Sequence, residues 1–207
     1  MFRRRLAALV AALAFAAVTP GFAQDKAPPP GTAIAIFAGG CFWCMEPPFD
    51  KLDGVLSTTS GYTGGPGANP TYQQVSAGGT GHIEALKIEY DPTKVTYAKL
   101  LDTFWRNIDP LDGIGQFCDK GPHYLSAIFV LDDAQRTAAE ASKIAIQPAL
   151  KVQGTIVTKI LPASAFWPAE DYHQDYYKKS PVKYSYYRWG CGRDARLEKL
   201  WGPAPTN

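Results

Sequence analysis

From residue 32 onward, short apolar runs alternate with longer amphipathic ones. Residues 32–38 (TAIAIFA) are a short, nearly unbroken apolar run ended by Gly39 and Gly40, which predicts a buried strand. Cys41 then opens a helix that Pro47 and Pro48 should interrupt. Residues 55–62 predict a second strand, and residues 84–90 a third and clearer one. Side chains alternate along a strand, so His82, Glu84, Leu86, Ile88 and Tyr90 fall on one face. Asp91-Pro92 stops it. Residues 93–108 put Val95, Leu100, Leu101, Phe104, Trp105 and Ile108 near helical spacing. Residues 124–131 predict a fourth strand, 132–147 a long helix capped by Asp132 or Asp133, and 155–161 a fifth strand. Beyond that the chain reads as an aromatic, irregular C-terminal tail.

The order strand, helix, strand, strand, helix, strand is the split βαβ arrangement. It predicts an α+β two-layer domain with a ferredoxin-like core, a mixed antiparallel sheet and helices packed against it. Two glycine- and proline-rich stretches, 61–81 and 109–123, read as long functional loops. There is no internal repeat and no second shift in composition, so residues 32–207 read as a single domain.

What precedes that domain changes the charge picture. Residues 1–23 hold Arg3, Arg4 and Arg5 with no acid, then thirteen residues drawn only from Leu, Ala, Val and Phe, then Pro20 and Ala23. This is the pattern of a secretory signal peptide cleaved after Ala23, with residues 24–31 as a proline-rich linker. The apolar run is too short for a permanent membrane span, which takes about 20 residues. Without the three arginines, 18 basic residues face 19 acidic ones, so the formal +2 of the whole chain becomes −1. No electrostatic case for nucleic acid or an anionic membrane remains. The expected location is the periplasm or the medium, and the expected state a monomer.

All four cysteines, Cys41, Cys44, Cys118 and Cys191, lie in the exported part. An even count outside the cytosol admits structural disulfides. A bridge between Cys41 and Cys44 would close almost no loop, and such close pairs are usually reactive or metal-bound. Cys41 follows a strand and two glycines where a helix begins. Free N–H groups and the positive end of the helix dipole should there favour the thiolate of a nucleophile. Glu84 heads the face that carries Leu86, Ile88 and Tyr90. If that face is inward, burial raises its carboxyl pKa and leaves it a proton to give. Phe42, Trp43, Tyr72 and Tyr124 could enclose a small, soft, apolar group, with Asp119 or tyrosine hydroxyls on its polar atoms. A thiolate beside a neutral carboxylic acid suits attack by sulfur with protonation of a departing oxygen.

Gly40-Cys41-Phe42-Trp43, Gly61-Tyr62-Thr63-Gly64-Gly65, Asn69-Pro70-Thr71-Tyr72 and Thr80-Gly81-His82-Ile83-Glu84 together resemble the A-type peptide methionine sulfoxide reductases. Tyr90-Asp91-Pro92, Phe104-Trp105, Asp109-Pro110, Asp119, Tyr124-Leu125-Ser126-Ala127-Ile128 and Glu170-Asp171-Tyr172-His173-Gln174 continue it in order over residues 32–190. The resemblance implies reduction of the S epimer of methionine sulfoxide, free or in peptides. By it, Cys41 attacks, Glu84 protonates the sulfoxide oxygen and Tyr72 and Tyr124 hydrogen-bond it. Phe42 and Trp43 enclose the methyl group, Asp119 fixes the substrate backbone, and His173 is structural. It implies no cofactor and no metal. Attack leaves a sulfenic acid on Cys41, which a second thiol converts to a disulfide for a thioredoxin-like donor to reduce.

Many such reductases have glycine in place of Cys44 and end in a glycine-rich tail with two cysteines, so the resolving thiol is not carried over. Cys191, glycine-flanked near the C-terminus, is the expected one. Cys44 is the alternative, and Cys118 a further alternative or a relay. Two other functions fit the residues alone. One is an exported thioredoxin-like disulfide oxidoreductase using Cys41 and Cys44, in which Glu84 and the tyrosines have no role. The other is a peptide-binding module held by zinc on Cys41, Cys44, Cys118 and His123.

Overall fold

The sheet is built outward from its first strand. The computed structural model of the chain describes residues 31–203. The expected signal segment, the expected linker up to residue 30 and the last four residues lie outside the described residues. In chain order the elements are β1 (Ala33–Gly39), α1 (Phe42–Asp50), β2 (Val55–Thr63), α2 (Tyr72–Ser76), β3 (Ile83–Tyr90) and α3 (Tyr97–Arg106). They continue with β4 (Gly115–Gln116), β5 (Asp119–Lys120), β6 (Ser126–Val130), α4 (Asp133–Ile146), β7 (Lys159–Pro162) and β8 (Trp167–Pro168). The helices α5 (Tyr176–Lys179), α6 (Pro181–Gly190) and α7 (Arg193–Trp201) follow.

Six strands form one sheet in the order β7-β6-β1-β3-β2-β8, and β4 and β5 pair separately. All neighbours in the large sheet are antiparallel except β6 and β7. The four central strands with α1 and α3 make the split βαβ core the periodicity predicts. Phe37 of β1 faces Leu86 of β3, so the end of β1 and the start of β3 meet at one end of the sheet. Cys41 and Glu84 belong to that end.

The main core lies between the sheet and α1, α3 and α4. Phe37, Met45, Phe49, Leu86, Ile88, Leu100, Phe104, Ile128 and Ala139 are all essentially without solvent contact. Removing each large side chain from water contributes about 1.5–3 kcal/mol. Phe37 anchors this layer, with ring centroids 5.0 Å from Phe104 and 5.7 Å from Phe49. The opposite face of β1 and β3 is covered too, by a smaller cluster around Ile36, Ala85 and Phe129.

Several elements differ from the sequence reading, each for a local reason. α3 starts at Tyr97 rather than residue 93, because the Asp91 side chain accepts from the Thr93 N–H and hydroxyl while Thr96 takes the cap by accepting from Lys99 N–H. A helix, α2, stands inside the first long loop, secured by a reciprocal capping box between Thr71 and Gln74. α1 runs through Pro47 and Pro48 instead of breaking there. Burial of Met45, Pro47 and Phe49 outweighs the lost hydrogen bonds in a helix of only nine residues. β7 starts at Lys159 rather than residue 155, because Val157 N–H is engaged by the Pro110 carbonyl and the Thr158 carbonyl by Lys143.

The largest correction concerns the C-terminal tail, which is helical rather than irregular. Pro181 sits in the first turn of α6, where its missing N–H costs nothing, and Gly192 takes φ +63° between α6 and α7. Those residues start and separate helices rather than prevent them.

Candidate active site

Two glycines place the first cysteine. Gly40 has φ +79°, and a Cβ there would come within 2.5 Å of the Gln116 Cβ. The chain turns sharply out of β1 and sets Cys41 at the N-cap of α1, 6% exposed. Glu84, 1% exposed, reaches the same turn from β3, and its Oε2 accepts the Phe42 N–H at 3.1 Å. Burial drives its carboxyl up to about 8, against the opposing pull of that hydrogen bond, with Asp119 and Cys44 raising it further. It is therefore mostly protonated at neutral pH.

Burial makes the thiol depart from the sequence expectation. The helix N–H meant to favour a Cys41 thiolate is given to Glu84, and the buried thiol is raised well above its usual range. Burial dominates that rise, with Cys44 and Glu84 adding to it and the Tyr187 hydroxyl opposing it. Cys44, 2% exposed and one helical turn on, moves the other way, down to about 7. Its hydrogen bond with Cys41 is the main cause, Arg193 and Arg188 add to it, and burial and Asp119 oppose it. The two thiols are coupled, and the proton is held more tightly by Cys41 than by Cys44.

A small cavity of about 90 Å³ opens onto Cys41. Its walls are Cys41, Phe42, Trp43, Tyr72, Glu84, Asp119, Tyr124 and Tyr187, so the structure brings together the sequence-derived side chains of the pocket and adds Tyr187. Burial raises the hydroxyls of Tyr72 and Tyr124, which stay protonated and share a hydrogen bond. His173 organises the aromatic wall. Its Nδ1 accepts from Trp43 Nε1 at 3.0 Å, and its ring lies 4.9 Å from Phe42 and 4.5 Å from Tyr72. Trp43 is stacked on Tyr176 at 3.8 Å.

The remaining two cysteines are paired with each other. Cys118 and Cys191 form a disulfide with their Cα atoms 4.9 Å apart, while Cys41 and Cys44 are free thiols. Cys191 is thus beside Cys118 rather than Cys41, and the sulfur next to Cys41 is that of Cys44. With Cys118 engaged, the zinc set of Cys41, Cys44, Cys118 and His123 is not available. The disulfide adjoins the pocket through Asp119, whose carboxylate oxygens lie 3.6 Å from the Cys118 sulfur and 4.0 Å from that of Cys191. Cys118 is exposed, whereas Cys41 and Cys44 are buried.

Tyr187, Arg193 and the Cys118–Cys191 pairing escape the sequence reading. All depend on the C-terminal helices, and the glycines around Cys191 are the only local hint.

Comparison with known proteins follows the same lines. Residues 33–204 match the peptide methionine sulfoxide reductase family. Peptide methionine sulfoxide reductase MsrA 2 of Caulobacter vibrioides is 49% identical over 201 residues, covering 97% of this chain and 99% of its own. The crystal structure of Mxr1 from Saccharomyces cerevisiae in reduced form superposes with a TM-score of 0.71 at 33% identity, over 76% of this chain and 90% of that one. Mxr1 in complex with Trx2 is also similar, with a TM-score of 0.53 and 26% identity, over 74% of this chain and 91% of that one.

Proposed function

Because this chain belongs to the peptide methionine sulfoxide reductase family, A type, and reduces methionine sulfoxide through its thiols, we propose how its own residues divide that reaction. The observation that carries the proposal is the buried, protonated carboxyl of Glu84 beside Cys41.

The Cys41 sulfur attacks the electrophilic sulfur of the S epimer. Glu84 gives its proton to the sulfoxide oxygen as negative charge develops there, with the Tyr72 and Tyr124 hydroxyls as further donors. Phe42 and Trp43 enclose the methyl group, and Asp119 accepts from the substrate backbone. The bond formed between the two sulfurs gives way as the oxygen passes to the Cys41 sulfur and the substrate S–O bond breaks. The Cys41 thiol proton goes to Cys44, methionine leaves, and a sulfenic acid remains on Cys41.

Cys44 then attacks that sulfenic sulfur. An S–S bond forms between Cys41 and Cys44, the S–O bond breaks, and the oxygen leaves as water after taking up a proton. Neither of these buried sulfurs is open to a protein reductant. Cys118 is, and Cys191 accompanies it. Once reduced, the Cys118 and Cys191 thiols exchange with the Cys41–Cys44 disulfide, restoring the inner dithiol and forming the outer disulfide. An external dithiol protein of the thioredoxin type reduces that outer bond, a reading supported by the likeness to Mxr1, whose structure with Trx2 is solved. The signal-like residues 1–23 support export and a donor outside the cytosol.

The disulfide oxidoreductase reading is set aside, because thiol exchange would have no use for a protonated Glu84 facing two tyrosines. The test is to supply the S and R epimers of methionine sulfoxide separately with dithiothreitol. The S epimer should be consumed, and consumption of the R epimer instead would refute the assignment.

A further inference from the structure

Arg193 is a buried cation with no carboxylate in hydrogen-bonding or ion-pair contact among the described residues. It is 1% exposed at the start of α7, and its Nη2 donates to the carbonyls of Asn107 at 2.6 Å and Gly39 at 3.3 Å and to the Met45 sulfur at 3.4 Å. Its guanidinium lies over the Phe117 ring at 4.3 Å, and its Nε has no partner among the described residues. Every other described arginine has an acid: Arg106 with Asp102, Arg136 with Glu140, Arg188 with Asp194 and Arg196 with Asp109. A buried guanidinium bonded only to neutral acceptors is costly, which points to an anion that arises nearby.

The contacts say where. Arg193 touches Gly39, just before the Cys41 turn, and Met45, the neighbour of Cys44 in α1. The charged and titratable groups that face Cys44 are Cys41, Glu84, Asp119, Tyr184, Arg188 and Arg193. Glu84 is mostly protonated, Tyr184 is neutral, Asp119 is the wrong sign, and Arg188 is held by Asp194. Of the two cations, Arg193 alone has no ion pair among the described residues, and its charge acts on Cys44 and on Asp119.

We propose that Arg193 is the counter-ion of the Cys44 sulfur, a positioning residue for the recycling half of the reaction rather than for oxygen transfer. The inference rests on Cys44 being the thiol that resolves the Cys41 sulfenic acid. In that step the Cys44 thiolate gives its electron pair to the new S–S bond, and Arg193 stabilises the thiolate until the bond forms. The Cys41 sulfenic sulfur is reduced, Cys44 is oxidised, and the hydroxyl leaves as water with one proton.

The test uses the full chain with Cys41→Ser, which leaves Cys44 as the free thiol beside the intact Cys118–Cys191 disulfide. Its ionisation is followed by thiolate absorbance at ~240 nm as pH is raised. Adding Arg193→Gln, which keeps donors for the Gly39 and Asn107 carbonyls but no charge, should raise the midpoint by about one pH unit or more. Adding Arg193→Lys should return most of that shift. In the chain with Cys41 present, Arg193→Gln should slow loss of the sulfenic acid about tenfold at pH 7, with recovery toward pH 9. An unmoved midpoint would overturn the proposal. So would an Arg193→Lys midpoint as high as that of free cysteine, a result that stands even if the glutamine variant does not fold. Unimpaired recycling by Cys44→Ser would instead remove the premise, which separates failure of the resolving role from failure of the Arg193 inference.

Discussion

The hydroxyl of Tyr187 donates to the carboxylate of Asp119 at 2.5 Å and is also hydrogen-bonded to the Cys41 sulfur. One side chain from α6 therefore links the attacking thiol to the residue proposed to hold the substrate backbone. Its ring meets the edge of Trp43 at 5.8 Å, so its position is fixed on three sides. Tyr187→Phe keeps the ring and removes both hydrogen bonds. We expect kcat/KM for methionine sulfoxide to fall about tenfold, the effect of one or two hydrogen bonds to charged groups. Steady-state kinetics with a peptide substrate measures it.

The Cys118–Cys191 disulfide closes a loop with a sequence separation of 73 and clamps the end of α6, four residues beyond Tyr187. A cross-link over a loop of that size stabilises by about 4 kcal/mol in the chain-entropy description, with 2–4 kcal/mol typical. Cys118→Ser should lower the urea unfolding free energy by about 2–4 kcal/mol. It should also abolish turnover with a thioredoxin-type donor while methionine is still formed once per chain.

Glu46 offers a test of burial alone, away from the reaction. It is 1% exposed in α1, its Oε1 accepts from the Ser60 hydroxyl at 2.9 Å, and its Oε2 has no partner among the described residues. Burial raises its carboxyl to about 7. A carboxyl whose folded pKa is raised makes folding more favourable below the unfolded pKa, and that advantage is lost as pH rises to the folded value. Wild-type stability should thus decline between about pH 4.5 and 7 from this group. Glu46→Gln should flatten the decline, so the two proteins differ more in thermal midpoint at pH 8 than at pH 4.

These cases separate what was legible in the chain from what was not. Alternation along residues 84–90 put Glu84 on the same face as Leu86, Ile88 and Tyr90 but left open whether that face is inward; in the fold both faces of β3 are covered and Glu84 is buried. The glycines before Cys41 were enough to set it at the head of a helix. The state of its thiol was not legible, because it depends on how deeply the folded chain buries Cys41 and on its hydrogen bond with Cys44. Tyr187 and Arg193 lie far along the chain from Cys41, on helices in a stretch that read as an aromatic, irregular tail. The Cys118–Cys191 pairing was hidden for the same reason: it needs α6 folded back over the pocket, and no local pattern announces that return.

Glu84 bears most directly on the account, because proton delivery from a buried carboxylic acid distinguishes it from thiol exchange. The decisive measurement is the single-turnover rate of methionine formation from the S epimer as a function of pH, in wild type and in Glu84→Gln. The wild-type rate should fall as pH passes about 8, where the carboxyl loses its proton. The glutamine variant should be slower by about 100-fold at pH 7, a typical loss for a general acid, and should lack that limb. Equal rates in the two proteins, or the same high-pH limb in both, would contradict the account.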